Sequence, residues 1–533
     1  MAKRSTEKPE MVVAGPGAGK THAMVRRIAE KLVDLLPARH LAAITFTNAA
    51  TSDIHERLHQ LVSPTPNVFV GTIHAFLNRF VVLPFARPFS LLPEDRTFVG
   101  INTHELVNSL ESRRTHPFAP QHRNAARTRI VESLLRRGVV PYDEIINLAC
   151  KLLEDKTVRA RVSRRLQFLF VDEFQDIDNR HLRIFDHLRK AGQTRIFVVG
   201  DPEQFVYGFT YGQRSRRHPG FPTIPFFQFR SQARTTSEST NRRSCAEIVA
   251  FTNHFHGELQ QVSSVGSRSE SRVLFLEDME LDHLVVRFRA RSEEVLHQHG
   301  SRRRLYLARE NSAFDSVRQQ FSIGTVSNDS TSRTTPLQEA LDLLALCRRE
   351  SQRTACSSLS IGSHEWRKLG MALVRDVRDA RVSTVEHLRD QWFSALRIPD
   401  MPDHRETISA ALEHFRVRMF RDTTLLSDDG TASIHRAKGL EATAVLVLAA
   451  SLVELNKWLT TDRALRDADK RDDCRLGYVA FSRAKELLCI GCRQALDEAT
   501  RRRLEYLGVT LVPATRNRSP LPSGQLNMFK GLT

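Results

Sequence analysis

Residues able to handle phosphate stand out first. Gly15, Gly17 and Gly19 alternate through Met11–Thr21, MVVAGPGAGKT, and Lys20-Thr21 close the stretch. Glycines let successive backbone N–H groups face phosphate oxygens without a Cβ in the way, and a helix N-terminus adds positive potential there. Lys20 would reach terminal phosphates, and Thr21 would offer a hydroxyl to Mg²⁺. The G-x-x-x-x-G-K-[ST] pattern lacks its first glycine, because Ala14 stands in that place. A phosphate loop needs an acid to hold the metal and a base to activate water. FLFVDE, an apolar run ending in Asp172 and Glu173, offers both. RIFVVGDPEQ ends a further apolar run in a polar group, with Gln204 set to sense a γ-phosphate. Tyr207 and Phe209 follow in VYGF. Aromatics beside a basic groove stack on unpaired bases, although both side chains could equally be core.

Such residues need a scaffold that gathers loop ends. Met11–Ala14 reads as a buried strand feeding the glycine turn, with a helix opening at Lys20-Thr21. LAAITF, residues 41–46, reads as a second strand, and a helix starts at Asn48. Val68–Val70 is a third strand running into Gly71-Thr72-Ile73-His74-Ala75-Phe76. In an α/β sheet, ligands bind at the C-terminal ends of strands; Phe46, His74 and Phe76 could also be core residues. Between about 85 and 165, polar helical patches (Asn102–Arg113, Ala125–Arg137, Tyr142–Leu153) alternate with Pro-containing turns, the texture of a small helical insertion. A second such region, about 325–430, holds one amphipathic helix over Leu337–Cys347.

A chain of 533 residues exceeds what one core supports, so several domains are expected. The excess of 79 Lys+Arg over 61 Asp+Glu gives +18, which suits a phosphate-rich polymer through counterion release. Seven scattered cysteines point to a reducing compartment without a disulfide frame. Cys489 and Cys492 form a CxxC inside ELLCIGC, an apolar run that reads as a core strand rather than a metal site. No apolar run reaches the ~18 residues of a membrane span, and MAKRSTEKPE lacks the apolar core of a leader, so a cytoplasmic protein is expected. Acidic residues outside DEFQD are dispersed and form no nuclease constellation.

In order, AGPGAGKT, AITFTN, TIHAF, VDEFQD and GDPEQFVYGF resemble motifs I, Ia, Ib, II and III of superfamily 1 helicases of the UvrD/Rep type. Asn241-Arg242-Arg243-Ser244 resembles motif IV, LYLAR at 305–309 the strand and arginine that follow, SIHRAKGLE at 433–441 motif V, and YVAFSRAK at 478–485 motif VI. The resemblance implies an α/β fold: two RecA-like P-loop NTPase domains with parallel sheets, each carrying a small, mostly helical insertion. Residues 1–84 and 161–225 would form domain 1A, 85–160 insertion 1B, 226–324 and 430–512 domain 2A, and 325–429 a reduced insertion 2B, followed by a flexible tail, 513–533. It also implies ATP and Mg²⁺. Gly15, Gly17, Ala18, Gly19, Lys20 and Thr21 would cradle the phosphates, with Arg242, Gly439 and Glu441 completing the nucleotide site. Thr21 and Asp172 would hold the metal, Glu173 would be the base, and Gln204, Arg243 and Arg483 would contact the γ-phosphate. Phe46, Asn48, Thr72, His74, Tyr207, Phe209 and His435 would line a single-strand DNA path. The implied activity is ATP-dependent 3′-to-5′ translocation and helicase action in DNA repair, replication or phage defence.

The sequence departs from the family in three ways. The family's Gln-containing, adenine-reading motif has no counterpart in the ten residues before Met11. Arg242 stands where the family has an adenine-stacking aromatic; a guanidinium can stack on a purine. The insertions are small, which keeps a second reading open: an ATP-gated sensor of DNA ends or single strands that activates a partner nuclease with little unwinding of its own. Compact helicases resembling this one accompany a nuclease in anti-phage systems such as Gabija. In the tail, QLNMF resembles a sliding-clamp docking peptide, in which Leu526, Met528 and Phe529 would fill an apolar pocket and Gln525 fix orientation. A tail packing on its own domain is the other reading.

Overall fold

Apolar side chains at nearly every position of a strand demand cover on both faces, and this governs the first half of the chain. The strands are β1 (Glu10–Ala14), β2 (His40–Thr45), β3 (Val68–Thr72), β4 (Val99–Ile101), β5 (Val139–Pro141), β6 (Leu166–Val171), β7 (Arg195–Gly200) and β8 (Arg234–Glu238). β4 and β5 pair with each other. The other six form one sheet in the order β3-β2-β6-β7-β1-β8, with every pairing parallel. Leu41, Ala43, Phe168 and Phe170 face one core, against Met24, Val25 and Ile28 of the helix Lys20–Leu32 and Ile54 and Leu58 of the helix Asn48–Leu61. Their neighbours Ala42, Ile44, Leu169 and Val171 face the other core, with Phe76, Phe80, Ile145, Leu152 and Phe185. Each buried leucine, isoleucine, valine, methionine or phenylalanine among them contributes about 1.5–3 kcal/mol by leaving water, and the period of two assigns each strand side chain a face.

The computed structural model describes residues 8–62, 67–89, 91–92, 99–101, 128–129, 131–136, 139–206, 221–268, 270–299, 303–325, 336–350, 352–379, 385–396, 405, 408–413, 415–416, 429–469 and 471–514. The tail peptide and the expected helix at Asn102–Arg113 lie outside these residues. Of the stretch 85–160, the helix Tyr142–Glu154 shares the core of the first sheet through Ile145, Ile146, Leu148, Ala149, Leu152 and Leu153.

Two compact units divide the chain: Met1–Val295 with Ala437–Thr533, and Leu296–Arg436. The first unit continues beyond β8 with a short parallel pair, β9 (Thr240–Asn241) and β10 (Val262–Ser263), and then β11 (Val273–Leu276). The second unit holds β12 (Arg304–Ala308), β13 (Gly324–Thr325) and β14 (Asp429–Ser433), in the order β13-β14-β12 and parallel. Its helices Pro336–Arg348, Ser363–Asp379 and Val385–Ala395 close on a core of Leu344, Trp366, Leu373, Val377 and Trp392. The first unit resumes with β15 (Ala442–Ala449), β16 (Ala484–Cys492) and β17 (Thr510–Val512), paired in parallel as β15-β16-β11-β17. β15 is buried at all eight positions, and Cys489 and Cys492 are buried in β16, where the apolar run placed them. All seven cysteines are free. Among the described residues, no helix is long and apolar enough to cross a membrane.

Parallel strands deliver their C-terminal ends to one edge of a sheet. In the first sheet that edge carries the glycine turn after β1, Phe46 after β2, Thr72 at the end of β3, Asp172 after β6 and Asp201 after β7.

Candidate nucleotide site

The glycine turn is tied down from far along the chain. Asn241 Nδ2 donates to the Pro16 carbonyl at 2.9 Å, and Gln261 Nε2 donates to the same oxygen at 3.1 Å. The Arg242 backbone N–H donates to Gly17 O and its guanidinium to Ala18 O, each at 2.8 Å. These contacts explain the glycines separately. A Cβ on Gly15 would fall 2.6 Å from the Gln261 amide, whereas Gly17 has φ +71° and would meet Asn241 Oδ1 at 2.4 Å. Gly19 has φ +74° with its nearest neighbour at 3.8 Å, so it serves backbone conformation rather than space. Ala14 replaces the pattern's first glycine without cost, because it is still in β1 and paired with Glu238.

Lys20 opens the following helix, and its Nζ donates to the carbonyls of Ala14 and Gly15, both at 3.3 Å. Thr21 Oγ1 donates to Asp172 Oδ2 at 3.1 Å, bringing together the two residues expected to hold a metal. Burial and the neighbouring Glu173 charge push the Asp172 carboxyl up to about 7. Burial works the same way on Glu173, but Lys438 and Lys20 outweigh it and hold this carboxyl below its ordinary value. Glu173 takes φ +49°, a left-handed conformation uncommon for a residue with a side chain, and Gln175 Nε2 donates to its Oε2 at 2.5 Å. Lys438 bridges both oxygens of Asp176, at 2.6 and 2.5 Å, and stands 4.0 Å from Glu173. Even so, burial raises Asp176 to about 6.

A second layer joins the loop after β7 to the segment before β16. Gln204 Nε2 donates to Asp201 Oδ2 at 2.8 Å, and its Oε1 accepts from Arg483 at 3.1 Å. Burial and Arg243 lower the Arg483 guanidinium to about 10. Arg243 donates to Glu441 Oε2 at 2.6 Å and to Ser482 O at 3.1 Å, while Lys485 pairs with the other Glu441 oxygen at 2.6 Å. Burial alone would raise Glu441, yet Arg243 and Lys485 hold it near 2. Gly439 turns the chain just ahead with φ +85°.

The residues expected on a DNA path divide. Phe46 is half-buried and meets His181 edge-on at 5.9 Å. Thr72 ends β3 and caps the helix Ile73–Leu77, accepting from Ala75 N at 3.3 Å. His74 is half-buried and lowered to about 4 by burial and then by His181, so its ring is neutral at physiological pH. Asn48 begins its helix behind the Thr47 cap. These four lie at or just beyond the C-terminal ends of β2 and β3, at the edge that holds the glycine turn. His435 belongs to the second unit, after β14, and Tyr207 and Phe209 lie outside the described residues.

Three groups escaped the sequence reading. Lys438 stands in SIHRAKGLE, where nothing in the sequence marks it for a partner. Gln261 lies in no motif at all. The third is a buried ionic hub: Glu203 accepts from Arg463 and, at 2.9 Å, from Arg466, with Arg475 at 3.3 Å. Arg475 also lies over the Phe221 ring, 3.2 Å from its centroid. Beside the hub, Asp201 accepts from Tyr478 at 3.2 Å and faces His256 Nε2 at 3.2 Å. The only sequence signal was the density of arginines and acids at 463–475.

Comparison with known proteins gives the following likenesses. Residues 1–210 match a family described as an AAA domain. The chain is 28% identical over 247 residues to the ATP-dependent DNA helicase PcrA of Leuconostoc citreum, covering 39% of this chain and 32% of that protein. It is 24% identical over 304 residues to the ATP-dependent DNA helicase Rep of Escherichia coli K12, covering 50% and 44%. It is 23% identical over 290 residues to the Gabija protein GajB of Bacillus cereus VD045, covering 52% of each chain. The chain thus spans between a third and about half the length of these relatives.

Proposed function

We propose, from the premise that this chain is a relative of the UvrD/Rep-type superfamily 1 helicases, that it hydrolyses ATP to drive 3′-to-5′ movement along single-stranded DNA. The observation that carries this reading is the convergence on one edge of Lys20, the Thr21–Asp172 pair, Glu173 and the Gln204–Arg483 pair. Lys20 and the backbone N–H groups of residues 15–21 would bind phosphates. Thr21 and Asp172 supply hard oxygen donors 3.1 Å apart, a set suited to Mg²⁺, which when bound would neutralise phosphate charge. Glu173, kept ionised by Lys438 and Lys20, would take the proton of the attacking water. Arg483 and Arg243 would stabilise charge gathering on the γ-phosphate, with Gln204 sensing its presence. Arg242, Gly439 and Glu441 would border the base and sugar. Phe46, Asn48, Thr72 and His74 would line the strand, and Tyr207, Phe209 and His435 are further candidates for contact with it. In this scheme 1–84 with 161–225 and 226–324 with 430–512 are the two NTPase domains, with 85–160 and 325–429 as their insertions and a cytoplasmic setting for the whole.

The likeness to GajB over half of each chain favours a second reading, an ATP-gated DNA sensor that activates a nuclease. One experiment separates the two: ATP hydrolysis with and without single-stranded DNA, alongside Glu173→Gln, followed by unwinding of a 3′-tailed duplex. Stimulated hydrolysis with unwinding supports the motor, and stimulation without unwinding supports the sensor. Hydrolysis indifferent to both DNA and Glu173→Gln would sink both.

A further inference from the structure

The opposite edge of the first sheet carries a basic cluster that the nucleotide site does not use. His40 opens β2, Phe69 lies in β3, Arg79 and Phe80 lie in the π-helical turn Asn78–Val82, and Arg165 ends the helix Lys156–Arg165 just ahead of β6. The Arg165 guanidinium carbon lies 5.1 Å from the centroid of Phe80, and that of Arg79 lies 5.8 Å from Phe80 and 5.5 Å from Phe69. His40 meets Phe80 edge-on at 5.5 Å, and its Nδ1 is buried without a hydrogen-bond partner among the described residues. Arg161 and Arg164 project from the same helix as Arg165, and Arg79, Arg161, Arg164 and Arg165 are all exposed. None of the four has a carboxylate partner among the described residues. The cluster's field reaches His40, whose pKa is lowered by burial and then by Arg165 and Arg79.

Gathering guanidinium groups without counter-charges costs energy that the fold does not recover. Arg164 and Arg165 lie in the last turn of their own helix, whereas Arg79 is brought to them from a separate segment, Asn78–Val82. An arginine laid over a ring is held in place and presents its N–H edge outward, the geometry that grips phosphate oxygens. Phe80 is only 1% exposed, and the half-buried Phe69 lies under the Arg79 guanidinium, so neither ring is open for a base to stack on. The contact is therefore with backbone phosphates and is indifferent to sequence. Strands of five or six residues put this edge about 17–20 Å from the glycine turn.

We propose that this edge is a second nucleic-acid contact, in which Arg79 and Arg165, supported by Arg161 and Arg164, hold the phosphodiester backbone of the DNA outside the strand path. The proposal rests on the DNA reading above. It is tested by measuring the affinity of the full chain for a 3′-tailed duplex from 50 to 200 mM salt, for wild type, Arg79→Gln/Arg165→Gln and Arg79→Lys/Arg165→Lys. The Gln pair should bind about tenfold more weakly at the higher salt, with the slope of log K against log salt smaller by about 2, one unit per phosphate contact. The Lys pair keeps the charge, so it should retain the slope while losing part of the affinity. It also carries the test if the Gln pair fails to fold. Wild-type affinity and slope in both variants would overturn the proposal. So would unchanged DNA binding accompanied by lost binding of polyglutamate, which would assign the edge to an acidic protein. A wild-type chain that binds no DNA would fail the DNA reading itself, and the second contact with it.

Discussion

Replacing Lys438 with Met puts the centre of the site to the test. Lys438 is the counter-charge for Asp176, whose side chain is 7% exposed, and it stands 4.0 Å from Glu173. Removing one partner of a buried pair costs about 3–5 kcal/mol, because the other charge is left uncompensated. The cost must depend on pH. Asp176 already has a folded pKa of about 6 against an ordinary 3.8, so the folded state holds this proton more tightly than the unfolded state does. Its contribution is therefore favourable at low pH and is lost as pH rises from about 4 to about 6. Without Lys438 the folded pKa rises further, and the loss continues above pH 6. Urea unfolding of Lys438→Met should thus show a deficit that is small at pH 5 and reaches its full size at pH 8. The double variant Lys438→Met/Asp176→Asn removes both charges and should regain most of the stability at pH 8. It should not regain hydrolysis, because Glu173 still lacks Lys438. A deficit of equal size at pH 5 and pH 8, or a double variant no more stable than the single one, would refute the assignment of Lys438 and Asp176 as a buried pair.

Other substitutions probe other links. Gly17→Ala meets both a left-handed φ and the Asn241 side chain, so nucleotide affinity by calorimetry should fall at least tenfold; Gly266→Ala, at φ +91° with open space around it, should show only the strain, about 1–2 kcal/mol in unfolding. Glu203→Gln leaves three arginines facing a neutral amide and should cost about 3–5 kcal/mol of stability in denaturant unfolding. Arg483→Lys cannot keep the donors to Val479 O and Gln204 Oε1 together, and kcat for ATP should fall about 10³-fold with KM little changed.

Local chemistry made part of this site legible. Gly15, Gly17 and Gly19, the acids after FLFV and Gln204 after RIFVVG each sit at the end of a strand whose apolar run announces it. Parallel pairing then brings those ends to one edge. What escaped notice depends on contacts between distant segments. Gln261 reaches Pro16 across 245 residues, and nothing around Gln261 marks it as a support of the glycine turn. Glu203 meets Arg466 across 263 residues, so its burial could not be read from a loop of polar residues. Lys438 was visible as a motif residue, but its pairing with Asp176 appears only when the two segments are folded together.

The grip of Asn241, Arg242 and Gln261 on the glycine turn also bears on the order of events during synthesis. The turn and its helix emerge from the ribosome early, whereas Gln261 follows Lys20 by about 240 residues, roughly 12–50 s at about 5–20 residues per second. Early in that interval the residues of β1 and its helix have been made, but β7 and β8, the two neighbours of β1 in the sheet, and all three supports of the turn are still to come. A nascent chain stalled before residue 241 should therefore bind nucleotide weakly, and one released beyond residue 261 should have a phosphate loop with all its supports. The glycine turn thus gains its full set of supports only once residue 261 has been made, so its final geometry is fixed by segments synthesised long after it.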